Sequence, residues 1–309
     1  MDKMLHISVS PHIHTKKSTS LVMLDVIIAL LPATVAAVVL FGLKALLVIA
    51  TCVITAVACE FLFNIIIKKE QTVGDLSAVV TGLLLALNLP ATIPLWQAIV
   101  GSAFAIVLVK CVFGGLGRNI VNPAITARVF MLIAFGSMTA AAFPTALDAT
   151  SGATPLAELA KGEAINLMDL FVGNCGGALG ETSALALLIG GVYLIARRVI
   201  SWHIPVSFIG SVFLLSLLIE GGSFVTALAW ILSGGLFIGA FFMATDYVTS
   251  PVTSKGKLIF GIGAGVFTVL IRFFGIYPEG VSFAILFMNI LNPYIDRMCT
   301  RKLFGGNKK

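Results

Sequence analysis

Ten apolar runs follow one another along the chain, at about 21–43, 45–67, 73–89, 94–113, 120–142, 182–196, 203–220, 223–244, 257–275 and 280–295. A helix that crosses a bilayer needs roughly 20 residues. The runs at 73–89, 182–196 and 280–295 are short by that measure. Two of the runs end in Asn88-Leu89-Pro90 and Asn292-Pro293, which read as helices interrupted inside the protein. Such breaks are tolerated only where backbone polar groups find partners away from lipid. The pattern predicts an all-α polytopic membrane protein of about ten transmembrane helices, some of them broken or short.

Prolines and asparagines recur at matching places. Pro32 follows Asp25 by seven residues and Pro205 follows Arg198 by seven, while Asn122-Pro123 in NIVNPA is echoed by Asn292-Pro293 in NILNPY. The offsets of 173 and 170 residues point to two repeats of five helices, and an odd number of crossings per half makes the second inverted. Transporters of that build hold their ligands where the halves meet. The expected division is 1–20 as a cytoplasmic amino-terminal segment, 21–142 and 182–296 as the halves, 143–181 as a connection, and 297–309 as a basic tail.

Composition agrees with lipid as the solvent. The 309 residues are 59% hydrophobic and 11% charged, against about 25% charged in soluble domains. A net charge of +6 raises the question of nucleic acid, but the positions of the charges answer it. With the amino terminus inside, 16 of the 20 Lys and Arg residues fall on one face, the usual orientation signal. No nucleic-acid partner is expected. The predicted location is a prokaryotic cytoplasmic membrane, crossed many times, with both termini in the cytoplasm. The first twenty residues have no convincing small-residue cleavage site, so they are read as retained. Cys52, Cys59, Cys111, Cys175 and Cys299 lack metal-binding spacing, and no metal site is expected.

The connection at 143–181 then lies outside and holds Asp148, Glu158, Glu163, Asp169 and Glu181 against Lys161. Connections of this length are often functional. Within it, DATSGATPL at 148–156 has the small polar residues of a turn, with Thr154 placed to cap a helix starting at Pro155. On the other face, GGLGRNIVNPA at 114–124 combines glycines that allow close backbone approach with Asn119 and Asn122, whose amides both donate and accept. It lacks the lysine and the strand context of a phosphate-binding loop. Acids within membrane helices are costly, which makes Glu60, and less so Asp25, candidates for an ion path.

The motif D-x-x-[ST]-G-A-T, present as Asp148, Ser151, Gly152, Ala153 and Thr154, resembles a flavinylation signature whose last Thr carries FMN in phosphoester linkage. Together with SPHIH at 10–14, GGLGRNIVNPA and FFMATDYVTSP at 241–251, it resembles the family of the D subunit of the Rnf ferredoxin:NAD oxidoreductase and the B subunit of the sodium-pumping NADH:quinone reductase. The resemblance spans essentially the whole chain. It implies a membrane flavoprotein subunit, without complete activity alone, that relays electrons in a complex exporting sodium ions or protons. The implied partners are other membrane subunits, a second flavoprotein and iron-sulfur subunits. The resemblance also implies covalent FMN on Thr154, and riboflavin held by Asn119, Asn122 and Asp246. The first span begins near residue 21, without the long amino-terminal extension of the quinone-reducing subunit, which favours the Rnf reading. The alternatives are that B-type subunit and a flavin-free small-solute channel.

Overall fold

A computed structural model describes residues 18–136, 142–144, 154–162, 165–275 and 279–299. Ser18 starts the first helix, α1 (Thr19–Phe41), by accepting a hydrogen bond from the Leu21 N–H at 3.3 Å. Gly42, at φ 68°, ends α1 and leads directly into α2 (Leu43–Ile67). In both helices alanines recur on the buried face, beside Leu30, Phe41, Val48 and Ile49, while many of the large side chains face away from the protein. Ala37 and Ala56 are fully buried, while Val39 and Ile66 are 73% and 77% exposed. This reverses the water-soluble pattern, because lipid is as apolar as leucine and close packing selects small side chains.

The next helices are α3 (Ser77–Leu87), α4 (Leu95–Ala103), which continues as a π-helical segment at Phe104–Cys111, and α5 (Pro123–Ala134). Among the described residues of the long connection are two short helices, α6 (Pro155–Ala160) and α7 (Leu167–Val172). The ends of that connection meet in an isolated bridge, with the Gly177 N–H donating to the Ala142 carbonyl at 2.9 Å. Then come α8 (Ala184–Ala196), α9 (His203–Ile219), α10 (Phe224–Leu232) and α11 (Leu236–Ile238). A second π segment, Gly239–Met243, follows α11. The last two helices are α12 (Ser254–Phe274) and α13 (Gly280–Cys299). Helices α9 and α12 approach closely because Gly261 and Gly265 sit against Ser207 and Ser211, where an added Cβ would overlap the hydroxyls.

The expectation of ten crossings is not met. Among the described residues three helices are long and apolar enough to span a membrane, α1, α2 and α12. A fourth span results if α10 is joined to Leu236–Met243 across a 66° bend. The runs misled because apolar length is not helix length. The run at 73–89 contains an 11-residue helix, about 16 Å of rise against a hydrocarbon core of about 30 Å. The runs at 120–142 and 182–196 hold helices of 12 and 13 residues. The first of these pieces, α3, is apolar because it is buried among other helices, with ten of its eleven residues buried.

The inverted repeat of two five-helix halves is not demonstrated either. Pro123 stands at the first turn of α5 behind the capping Asn122, whereas Pro293 lies inside α13. Pro32 lies inside α1, while its supposed counterpart Pro205 occupies the first turn of α9. The paired residues therefore do different local work, and the parity argument for both termini on one side falls with the count.

Candidate functional site

A cavity enclosing about 770 Å³ of space, part of it open at the mouth, lies between α1, α3, the glycine-rich turn, the end of α8 and the segment after the second π helix. Asn119, Asn122 and Asp246 all line it, together with Ser77, Thr81, Lys110, Phe241 and Phe242. The turn that delivers the asparagines depends on Gly114, Gly115 and Gly117, which take φ of 117°, 101° and 88°. A side chain is strained in that region.

The three polar residues also hold the backbone. Asn122 caps α5, its Oδ1 accepting from the N–H groups of Ala124 at 3.0 Å and Ile125 at 3.4 Å. Its Nδ2 donates to the Met243 carbonyl at 3.2 Å, tying α5 to the second π segment. Asn289 of α13, in the amide orientation that satisfies both ends, accepts from the Asn122 N–H and donates to the Thr249 carbonyl, each at 3.2 Å. Asn119 Nδ2 donates to the Val121 carbonyl at 3.1 Å. Asp246 accepts from the Thr249 hydroxyl at 3.1 Å. Desolvation pushes the Asp246 carboxyl above its usual range, against hydrogen bonds from Thr249 and from the Val248 and Tyr247 backbone.

One wall of this cavity is charged. Lys110 is 2% exposed, and its Nζ lies 2.9 and 3.0 Å from the two oxygens of Glu60 and 2.6 Å from Ser77 Oγ. Glu60 also accepts from Thr72 Oγ1 at 2.7 Å, and Asn64 donates to that hydroxyl at 3.0 Å. Glu60, proposed for an ion path, is thus a fully paired buried carboxylate. Asp25 lies elsewhere, clamping α1 to α8 through Arg197 at 3.3 Å and the Tyr193 hydroxyl at 3.1 Å.

A second, smaller cavity is lined by Thr154, Cys175, Glu181, Thr182, Ser233, Gly234 and Glu279. Thr182 precedes α8, whereas Leu194, in the first cavity, stands near its end. From Ala184, where α8 starts, to Leu194 the helix rises about 15 Å, which separates the two lining residues. Thr154 caps α6, accepting from the Ala157 N–H at 3.3 Å, with Pro155 at the first helical position. Asp148 and Ser151 lie outside the described residues. Beneath Thr154, Arg128 of α5 binds Glu181 at 2.5 Å, Glu279 and the Asn88 side chain. Burial pushes Glu181 up to about 7, overriding Arg128. Arg272 of α12 donates to the carbonyls of Trp230 at 2.6 Å and Ser233 at 3.1 Å, holding the break after α10.

A sequence profile of the family described as NQR2, RnfD, RnfE matches residues 6–305. The chain belongs to this family. Among its relatives, the chain is similar to the D subunit of the Na(+)-translocating ferredoxin:NAD(+) oxidoreductase complex of Acetobacterium woodii, at 49% identity over 98% of this chain and 96% of that one. It is 42% identical to the D subunit of the proton-translocating ferredoxin:NAD(+) oxidoreductase complex of Clostridium ljungdahlii, with the same coverage. With the D subunit of the ion-translocating oxidoreductase complex of Stutzerimonas stutzeri it shares 40% identity over 95% of this chain and 94% of that one.

For this family member, sequence reasoning found three lining residues of the first cavity and one of the second. It missed Lys110, which counted as an orientation charge, and the Arg128–Glu181–Glu279 cluster. The available signal was position. Lys110 follows the apolar stretch FAIVLV and Arg128 stands within ITARVFML, and charges so placed are rarely idle.

Proposed function

We propose that this chain relays electrons through flavin held at its two cavities, as a membrane subunit of an Rnf-type ferredoxin:NAD oxidoreductase that exports sodium ions or protons. The carrying observation is the convergence of Asn119, Asn122 and Asp246, the last 124 residues beyond Asn122, on one apolar-walled cavity. The chain is not an enzyme by itself but part of a multisubunit translocating oxidoreductase. Identities of 40 to 49% to D subunits favour this reading over the quinone-reducing B-type subunit. The channel reading leaves the attachment motif without a use.

The residues present are compatible with a flavin. Ligand cavities are mostly apolar with a few placed polar groups, and this one has apolar walls with Asn119, Asn122 and Asp246 among its lining residues. Asn119 keeps its Oδ1, and Asn122 keeps one amide hydrogen after its contact to Met243. Asp246 adds a carboxyl oxygen that can accept at the rim. At the second cavity Thr154 offers a hydroxyl at the chain's turn into α6, the atom that a phosphoester to FMN needs. A flavin supplies one-electron exchange between carriers of different stoichiometry. The partners proposed are the other membrane subunits, a second flavoprotein and iron-sulfur subunits.

The test is a flavin count on the purified complex, with covalent FMN read from the intact mass of this subunit and riboflavin read after extraction. Thr154→Ala is expected to remove the covalent FMN and keep the riboflavin. Retention of covalent FMN in that variant rejects the attachment site, and absence of extractable flavin from the unmodified complex rejects the first cavity as a riboflavin site.

A further inference from the structure

The first cavity contains a charge pair that capping and backbone support do not explain. Lys110 and Ser77 line the cavity, whereas Glu60 does not. Lys110 is therefore the member of the pair next to the cavity, and its Nζ lies within hydrogen-bond distance of the lining residue Ser77. Charged groups of both signs lie nearby, since Arg197 holds Asp25 and Lys69 acts on Cys111, the residue after Lys110. Asp75 accepts from the Ser77 hydroxyl, and Asp246 is another lining residue of the cavity.

We propose that the Lys110–Glu60 pair sets the redox potential of an electron-accepting heterocycle in the first cavity. Lys110 attracts the negative charge gained on reduction, and Glu60 moderates that attraction. This rests on the reading of the cavity as a flavin site. Each electron taken from an added reductant such as dithionite gives the ring one negative charge, with no bond to the protein made or broken. In a buried site with little screening water, that charge interacts strongly with the ammonium. A carboxylate at 2.9 Å weakens the effect without cancelling it, since Lys110 lines the cavity and Glu60 does not. Lys110 is thus a positioning and tuning residue. By linkage, the charge on the ring and the hold of Lys110 on Glu60 influence each other.

The test exploits the opposite signs of the two partners. Purified complexes carrying Lys110→Met or Glu60→Gln are first counted for extractable riboflavin against covalent FMN, then titrated with dithionite while the non-covalent flavin absorbance is followed. Lys110→Met is expected to lower its midpoint potential, and Glu60→Gln to raise it. Each shift is expected to change the oxidised-to-reduced ratio at least about tenfold at fixed potential, about 59 mV for one electron. A merely structural pair predicts flavin loss in both variants with no shift of opposite sign in the flavin retained. If Lys110→Met loses its flavin, Glu60→Gln carries the test: a raised potential supports the proposal, and an unchanged or lowered one overturns it. If the unmodified complex holds no extractable riboflavin, it is the cavity assignment that fails.

Discussion

At the scale of single residues, the same side chains cap helices and line cavities, so substitutions must separate the two roles. Asn122→Asp retains an oxygen for the cap and removes the amide donor, and aspartate is as good a capping residue as asparagine. It is expected to leave assembly intact while lowering extractable riboflavin, measured per correctly assembled complex. Asn122→Leu removes the cap as well, a loss of about 1 kcal/mol, so its flavin loss is ambiguous. Asn119→Leu touches no helix cap and is the cleaner probe. Equal flavin in Asn119→Leu and the unmodified complex removes Asn119 from the site. At Thr154, Ser keeps a hydroxyl for both cap and phosphoester. Thr154→Ser is therefore expected to retain covalent FMN, and intact mass decides the matter.

At the scale of elements, the break between α10 and α11 is held by charge. Arg272 satisfies carbonyls at the end of α10, and Gly235 lies so close to Glu181 that an added Cβ would stand 2.7 Å from its carboxylate oxygen. Arg128 joins α5 to this break through Glu181 and Glu279. Removing one partner of a buried ion pair costs about 3–5 kcal/mol, so Arg128→Met is expected to lower the apparent melting temperature of the purified protein sharply. A change no larger than that of a surface substitution contradicts the role given to the cluster. The same cluster has a sign in pH. Burial raises Glu181 from 4.5 to about 7. Its contribution to stability is therefore greatest below pH about 4.5 and is lost as pH rises through about 7. Glu181→Gln, fixed in the uncharged form, is expected to flatten this dependence in melting curves taken at pH 5.5 and 8.

At the scale of the whole molecule, α8 sets the distance between the cavities. The connection after α5 belongs to one end of that helix, and the turn at Arg197–Arg198 to the other. Cysteines introduced at Lys44 and Lys68, exposed at the two ends of the 25-residue α2, in a background without the native thiols, are expected to label from opposite sides of sealed vesicles. Labelling of both from one side rejects α2 as a membrane span. Ion identity does not follow from family membership, since relatives at 49% and 42% identity are a sodium-translocating and a proton-translocating complex member by name.

Membrane residence, helical class and family follow from the sequence by itself, because each depends on local composition or on residues adjacent in the chain. The glycines of 114–117, the capping pairs Asn122-Pro123 and Thr154-Pro155, and the apolarity of α1, α2 and α12 are all of this kind. The number of spans is not, since a buried 11-residue helix such as α3 is as apolar as one facing lipid. Nor does spacing alone bring Asp246 to Asn122, set Lys110 against Glu60 across 50 residues, or gather Arg128 with Glu181 and Glu279. Those meetings depend on how the helices pack. A charge leaves water only where packing delivers its partner, and only the tertiary structure decides which partner that is.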